Sequence, residues 1–473
     1  MVGVPFVARP FFSLVQSIKA RKVIKMKAIN AKKRLLDVGI ITKNEAENLE
    51  RCLQCLRPLQ EALNCKIIVA DTGSTDNSIE VAEQYADEVF SIEWTNNFAE
   101  ARNKVLDRSD AQWFLTVDTD EFLQDPKELI HFFKSGLYKK YKSAFIIQSN
   151  AMYYDDLINH ERIEDQEVPR LFYAAGGNRY SGAVHECVEI ESPVVRLLDT
   201  KLLHYGYYYT HSDEDQKRKA NRNARNSAIM EKLLEETPDD LRLLSLAMDS
   251  GVDKKKCCDL ADTMVEVLNT KEGAWDEPFA SPGLMRVMKM YINGERYEDC
   301  IKQSDIFIQH FPKSILLCDV WYMRFLAESA LKKDYETLKK DFFQYIHYKN
   351  FTIKDKYNSL EWVFTGAVEF TNASVMRLAV RLCEKLCGEV TEESTEQQKQ
   401  ELQNDLDAIL SEVKLENISV DTLKNWIALA LLVNEKYLDA SKIWKMCFAY
   451  RADSTYEDVF DTIWIHMFYY RPL

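Results

Sequence analysis

Two aspartates, Asp118 and Asp120, follow directly on the apolar run Trp113–Val117. In an extended chain residues two apart point the same way, so both carboxylates can face one ligand. That pairing suits Mg²⁺ or Mn²⁺, which take oxygen ligands and bridge one or two carboxylates to diphosphate oxygens; the plain structural alternative is an acidic strand-end turn. A second polar cluster, Asp71-Thr72-Gly73-Ser74-Thr75-Asp76, lies between the apolar run Ile67–Ala70 and a helical period. Gly73 permits a tight reversal, while Ser74, Thr75 and Asp76 serve equally as helix caps or as donors and acceptors for a polar ligand. Thr42-Lys43-Asn44-Glu45 also closes a strand and opens a helix, so three strand ends could converge on one crevice. Arg170 and Arg225 carry guanidinium forks that match phosphate oxygens, whereas Arg218 and Arg222 read as a solvated basic face.

These residues need a sheet to present them. Leu35–Ile41, Ile67–Ala70, Val89–Ile92, Trp113–Val117 and Ala144–Gln148 read as strands, and Asn44–Leu59, Asp76–Ala86, Phe98–Leu106 and Pro126–Phe133 as helices. The alternation predicts an α/β layered sheet, with early strands apolar on both faces as in a covered parallel sheet. Ligands then belong at the carboxyl ends of the strands.

After His211 helical periods take over, beginning with a basic helix over 212–227 that starts at Ser212-Asp213-Glu214. Aromatic-centred turns recur around Tyr297, Tyr335 and Tyr437, separated by 38 and 102 residues. The second interval is three times the roughly 34-residue period of a tetratricopeptide repeat, which predicts degenerate helix pairs or, more cautiously, a general α-helical solenoid. Glu389–Gln403 reads as a solvated loop or helix face.

The 473 residues exceed one ordinary core, so two or three domains are expected. A formal charge of −14 argues against a surface built for nucleic acid. Residues 1–34 hold nine bases and no acids, leaving −23 on the remainder. This head is too short and broken for a membrane span or a secretion signal; it reads as a tail or as sequence upstream of a start at Met26, with rest on an anionic membrane surface as the alternative. Eleven scattered cysteines fit a reducing cytosol, and Cys52 and Cys55, like Cys383 and Cys387, read as faces of helices. No Gly-x-Ser-x-Gly, His-Glu-x-x-His or phosphate-loop pattern occurs.

Gly39 through Glu45, Asp71 through Asp76, Phe98-Ala99-Glu100-Ala101-Arg102-Asn103 and Asp118-Thr119-Asp120-Glu121 stand in the order and at the spacings of family 2 glycosyltransferases, which residues 35–210 therefore resemble. Pro169-Arg170-Leu171-Phe172, Gly182 through Glu186 and Leu203 through Tyr207 are similar to the later part of a subgroup. That subgroup holds bacterial lipopolysaccharide-core glucosyltransferases and peptide glycosyltransferases of bacteriocin biosynthesis, the latter also joined to helical repeats. The resemblance implies a GT-A, Rossmann-like sheet domain over 35–210 after a basic extension (1–34), a junction helix over 211–227 and a tetratricopeptide-like domain over 228–473.

It also implies an inverting, metal-dependent transfer from a nucleotide sugar, a UDP-hexose first. The donor-binding residues expected on this basis are Thr42, Asn44, Glu45, Asp71, Ser74, Asp76, Arg102, Asp118 and Arg170. Asp120, with Asp118 and His204, would hold Mg²⁺ or Mn²⁺, His185 being the runner-up to His204. Glu186 is the first choice of general base and Glu121 the second. Tyr205, Tyr207, Tyr208 and Tyr209 could stack on a sugar or uracil ring or be buried. The expected acceptor is a peptide or protein side chain offered by the helical domain, in the cytoplasm or at the inner membrane face. A cell-envelope saccharide or lipid-linked acceptor, and a non-catalytic scaffold, are the alternatives.

Overall fold

The computed structural model describes residues 34–155, 160–188, 191, 193–206, 213–250, 254–355, 371–415 and 418–450. The basic head up to residue 33, Tyr207, Tyr208, Tyr209, His211, Ser212 and the side chains of Arg218 and Lys219 lie outside the described residues. The chain divides into two compact units between Glu236 and Thr237.

The first unit begins with four parallel strands: β1 (Leu36–Thr42), β2 (Lys66–Asp71), β3 (Glu88–Ser91) and β4 (Trp113–Thr116). Helices Ala46–Leu63, Ser78–Tyr85 and Phe98–Leu106 connect them. Because strand side chains alternate, Ile67 and Val69 pack in one core with Leu49, Cys52, Leu53, Leu56 and Leu59, while Ile68 and Ala70 pack in another with Ala99, Val105 and Phe114. Each such fully buried aliphatic or aromatic side chain contributes about 1.5–3 kcal/mol. At Gly39 a Cβ would run into the side chains of Phe114 and Val105, so glycine is what lets the helix Phe98–Leu106 lie close on β1.

Beyond β4 the sheet turns mixed. β5 (Glu121–Leu123), β6 (Ser143–Asp155), β7 (His160–Tyr173) and β10 (Val194–His204) complete the order β3-β2-β1-β4-β7-β6-β10-β5, with β7 antiparallel to both β4 and β6. Two short strands, β8 (Tyr180–Ser181) and β9 (Cys187–Val188), pair separately. The early strands and helices lie where the sequence patterning puts them. β7 and β10 were not among the expected strands: their runs are dense in charge, and exposed Ile163 and Leu198 break the apolar alternation. The junction helix spans Asp213–Glu236, longer than expected, and belongs to the first unit.

The second unit is helical, built among the described residues from five pairs: Leu241–Ser250 with Lys254–Thr270, Ala280–Asn293 with Tyr297–His310, Leu317–Ala330 with Tyr335–Asp355, Asn372–Glu389 with Glu396–Ser411, and Val420–Glu435 with Ser441–Phe448. The first helix of each pair also touches the first helix of the next, the stacking of a helical solenoid. The three aromatic turns all fall inside pairs, but the tyrosines are not equivalent. The backbone feature they share is a left-handed residue, Glu295 (φ 60°), Lys332 (φ 57°) or Tyr437 (φ 58°). In each the following amide bonds back five residues, Arg296 to Tyr291, Lys333 to Glu328 and Leu438 to Val433, closing the first helix with a Schellman turn. Tyr335 is therefore buried while Tyr437, at the left-handed position itself, is 85% exposed. Glu389–Gln403 forms a helix end, a turn and the start of Glu396–Ser411, capped by Thr395 and Gln398.

Candidate active site

Two turns at the carboxyl ends of β1 and β2 are stitched together. Thr42 and Asp71 are register partners, and Thr72 donates from both its amide and its hydroxyl to the Thr42 carbonyl. The Asp71 carboxylate accepts from the amides of Gly73 (2.9 Å) and Ser74 (3.1 Å), fixing the reversal that Gly73 makes at φ 102°. Asn44, itself left-handed, accepts from Thr75 N at 2.6 Å and donates its amide to Ser74 Oγ at 2.9 Å. Asp76 accepts from Ser78 and from Ala46 N, and the Ser78 hydrogen bond lowers its pKa. Glu45 accepts from Asn48 Nδ2. The structure thus brings Thr42, Asn44, Glu45, Asp71, Ser74 and Asp76 together, and their local bonds preform the rim. Thr42 Oγ1 is buried with no hydrogen-bonding partner.

Beyond β4 lies a largely buried charge cluster drawn from one helix, two strands and two loops. Arg102, on the helix Phe98–Leu106, donates through Nη2 to Asp118 Oδ1 (2.6 Å) and through Nε to Glu186 Oε1 (2.7 Å). Arg170, on β7, donates to Asp118 Oδ2 (2.7 Å) and Glu121 Oε1 (2.6 Å). Burial opposes charge on Asp118, but the two guanidinium groups outweigh it and hold its carboxyl below the ordinary carboxylate range. Glu121 is fully buried, and there burial outweighs Arg170 and pushes its pKa up. Its two oxygens also accept from Gln148 Nε2 and the Asp118 amide, so Glu121 is a keystone of the strand ends. Arg102 Nη1 and Arg170 Nε are buried without partners, which leaves hydrogen-bonding capacity for a polar ligand.

Asp120 and His204 form a separate pair, Oδ2 to Nε2 at 3.6 Å. Burial works against the charged imidazole, but Asp120 dominates and raises the His204 pKa. Gly206 adjoins both: a Cβ there would collide with the Asp120 carboxylate and the His204 ring. Among the described residues no group of three or more His, Cys, Asp or Glu surrounds one point, and both Asp118 oxygens face guanidinium groups. Asp120 and His204 nevertheless fit a hard cation that takes its remaining ligands from diphosphate and water. His185 is exposed, in a left-handed turn (φ 50°).

Arg222 departs from its reading as solvated: half-buried, it donates to the Gly206 carbonyl at 2.8 Å. Arg225 lies over the Phe98 ring, its centre 5.1 Å away. Tyr205 stands beside Phe122, with Arg51 over both rings. The sequence reading missed Gln148 and Asn150, polar residues in an otherwise apolar strand; their departure from alternation was the available signal.

Residues 37–236 match the glycosyl transferase family 2 model. The chain is 24% identical over 297 residues to the SPbeta prophage-derived glycosyltransferase SunS of Bacillus subtilis, covering 60% of this chain and 65% of that protein. A TPR repeat-containing protein of Synechococcus elongatus is 33% identical over 84 residues, 18% of this chain and 20% of its own. Among solved structures, S. aureus TarS 1–349 aligns at 13% identity with a TM-score of 0.31, covering 63% of this chain and 91% of that one. The stretch that resembles glycosyl transferase family 2 is residues 37–236, less than half of the chain.

Proposed function

We propose that this protein is an inverting, metal-dependent glycosyltransferase that moves a sugar from a nucleotide-diphosphate sugar, a UDP-hexose first, to a peptide or protein side chain. The observation that carries the reading is the Asp120–His204 pair, 3.6 Å apart at the mouth of a family 2 sheet and two residues along the chain from a half-buried Asp118 ionised between Arg102 and Arg170. Asp120 and His204 hold Mg²⁺ or Mn²⁺. When bound, the cation offsets negative charge on the departing diphosphate. The rim formed by Thr42, Asn44, Glu45, Asp71, Ser74 and Asp76 binds the nucleotide, and Asp118 faces the ribose.

In an inverting transfer the acceptor atom bonds to the anomeric carbon as the bond to the diphosphate oxygen breaks on the opposite face. Glu186, its Oε1 tied by Arg102, takes the acceptor proton. Glu121 is enclosed and triply bonded, so it positions Asp118 and Arg170. The stacked helix pairs support a peptide acceptor, since solenoids offer extended binding surfaces. Among the described residues no helix is long and apolar enough to cross a membrane. We place the reaction in the cytoplasm on the ground of the eleven scattered cysteines, which suit a reducing compartment.

The test is incubation with a panel of UDP-sugars and Mn²⁺, reading UDP release and the mass of added peptide mixtures. Release that depends on Mn²⁺, with a hexose mass gained by a peptide, is expected. No release with any donor overturns the enzymatic reading; transfer to saccharides alone overturns the peptide acceptor.

A further inference from the structure

We infer that Asn103 is a positioning residue that sets where Glu186 stands. Glu186 ends the link 182–186 between β8 and β9, strands that pair only through Tyr180 opposite Val188 and Ser181 opposite Cys187. A hairpin that short does not hold its shape alone, so bonds to its surroundings must place it. The helix Phe98–Leu106 meets it at three residues. The Phe98 amide donates to the Ala183 carbonyl at 2.8 Å, and Arg102 Nε donates to Glu186 Oε1 at 2.7 Å. Asn103 contributes both of its amide groups: Oδ1 accepts from the Tyr180 amide and Nδ2 donates to the Tyr180 carbonyl, each at 2.9 Å. A backbone N–H only donates and a carbonyl only accepts, so one orientation of the side-chain amide satisfies both. A carboxylate, which cannot donate, would satisfy one.

The Tyr180 hydroxyl is hydrogen-bonded with Thr116 at the end of β4, and its ring stands edge-on to Phe172 at 5.7 Å. Those contacts anchor the side chain in the sheet. Asn103 grips the Tyr180 peptide groups instead, and so fixes the direction in which the chain leaves toward Ala183 and Glu186. Arg102 and Asn103 are neighbours on one helix, so the residue that holds the Glu186 carboxylate and the residue that aligns its hairpin move as one body. Misplacing a reacting group by about 1 Å costs up to about 100-fold in rate. The link to catalysis rests on the proposed role of Glu186 as base; the clamp itself does not.

The experiment uses the full chain and reads two quantities: UDP release from UDP-glucose with Mn²⁺ and the peptide mixture, and amide hydrogen exchange of residues 180–188. Asn103→Ala and the nearly isosteric Asn103→Asp should each lower kcat about 10- to 100-fold and leave KM for UDP-glucose within about twofold. Both should speed exchange at 180–188 about 10-fold or more, with exchange in Phe98–Leu106 as in the wild type. Glu186→Ala should lower kcat about 100-fold or more, and adding Asn103→Ala to it should slow it no further. Unchanged exchange at 180–188 in both Asn103 variants, or losses that multiply in the double variant, overturns the inference. So does a raised KM for UDP-glucose, which general loosening of the helix would give because Arg102 also holds Asp118. Faster exchange at 180–188 with an undiminished kcat in Glu186→Ala, or with no UDP release by any form, upholds the clamp and counts against the proposed function alone.

Discussion

Arg102 and Asp118 join the helix Phe98–Leu106 to the end of β4 through a 2.6 Å charged hydrogen bond, with the Arg102 side chain only 6% exposed. The same guanidinium reaches Glu186. One buried cation therefore fixes a helix, a strand end and the turn that carries the candidate base.

Removing that cation strands two carboxylates in a water-poor site. Arg102→Leu should lose about 3–5 kcal/mol of stability, read as a lower urea midpoint. Arg102→Lys lacks the planar fork and should fall between the two. An unchanged midpoint in Arg102→Leu would show that the cluster contributes nothing to folding.

Asp120 is partly exposed and bound to little else, so Asp120→Ala should keep its melting temperature to within about 2 °C while transfer drops about 100-fold or more. Gly206→Ala places a methyl group against Asp120 and His204 and should weaken Mn²⁺ binding, measured calorimetrically with UDP present. Normal affinity in that variant would contradict the close packing at Gly206.

In the helical unit, burial and a hydrogen bond with Glu328 push the Asp341 pKa from an ordinary 3.8 up to about 8. The native state thus keeps a proton that the unfolded chain releases. Its stabilisation is complete below about pH 4 and is lost as pH rises through about 8. Urea midpoints at successive pH values should decline across that window, and Asp341→Asn should flatten the decline. A wild-type profile no steeper than that of the variant would remove the shared proton.

Glu295 and Lys332 occupy left-handed backbone that side chains disfavour. Glu295→Gly and Lys332→Gly should each stabilise the protein by about 0.5–1 kcal/mol, and Glu295→Val should cost about 1 kcal/mol. Chemical denaturation checks both signs; destabilisation by glycine would contradict the Schellman geometry.

The sequence by itself determined the parallel strands β1 to β4, their helices and the strand-end placement of Asp71, Asp118 and Asp120, because those features depend on neighbours close along the chain. Unbroken apolar runs mark doubly covered strands, and a cap lies within a few residues of its helix. Helix pairing in the second unit was legible for the same reason, although the tyrosine spacing misjudged its phase. The backbone turn, and not the ring, is what repeats from Glu295 to Lys332 to Tyr437.

Tertiary structure alone decided which charges meet. Arg170 and Asp118, Gln148 and Glu121, and Asn150 and His204 are each separated by tens of residues. They are joined by the register of β6, β7 and β10, and charge along β7 and β10 hid those two strands from periodicity. Two residues of shift along one strand would give Asp118, Glu121 and His204 other partners. The sequence supplied the reactive groups, and long-range strand pairing set which of them Asp118 and His204 face.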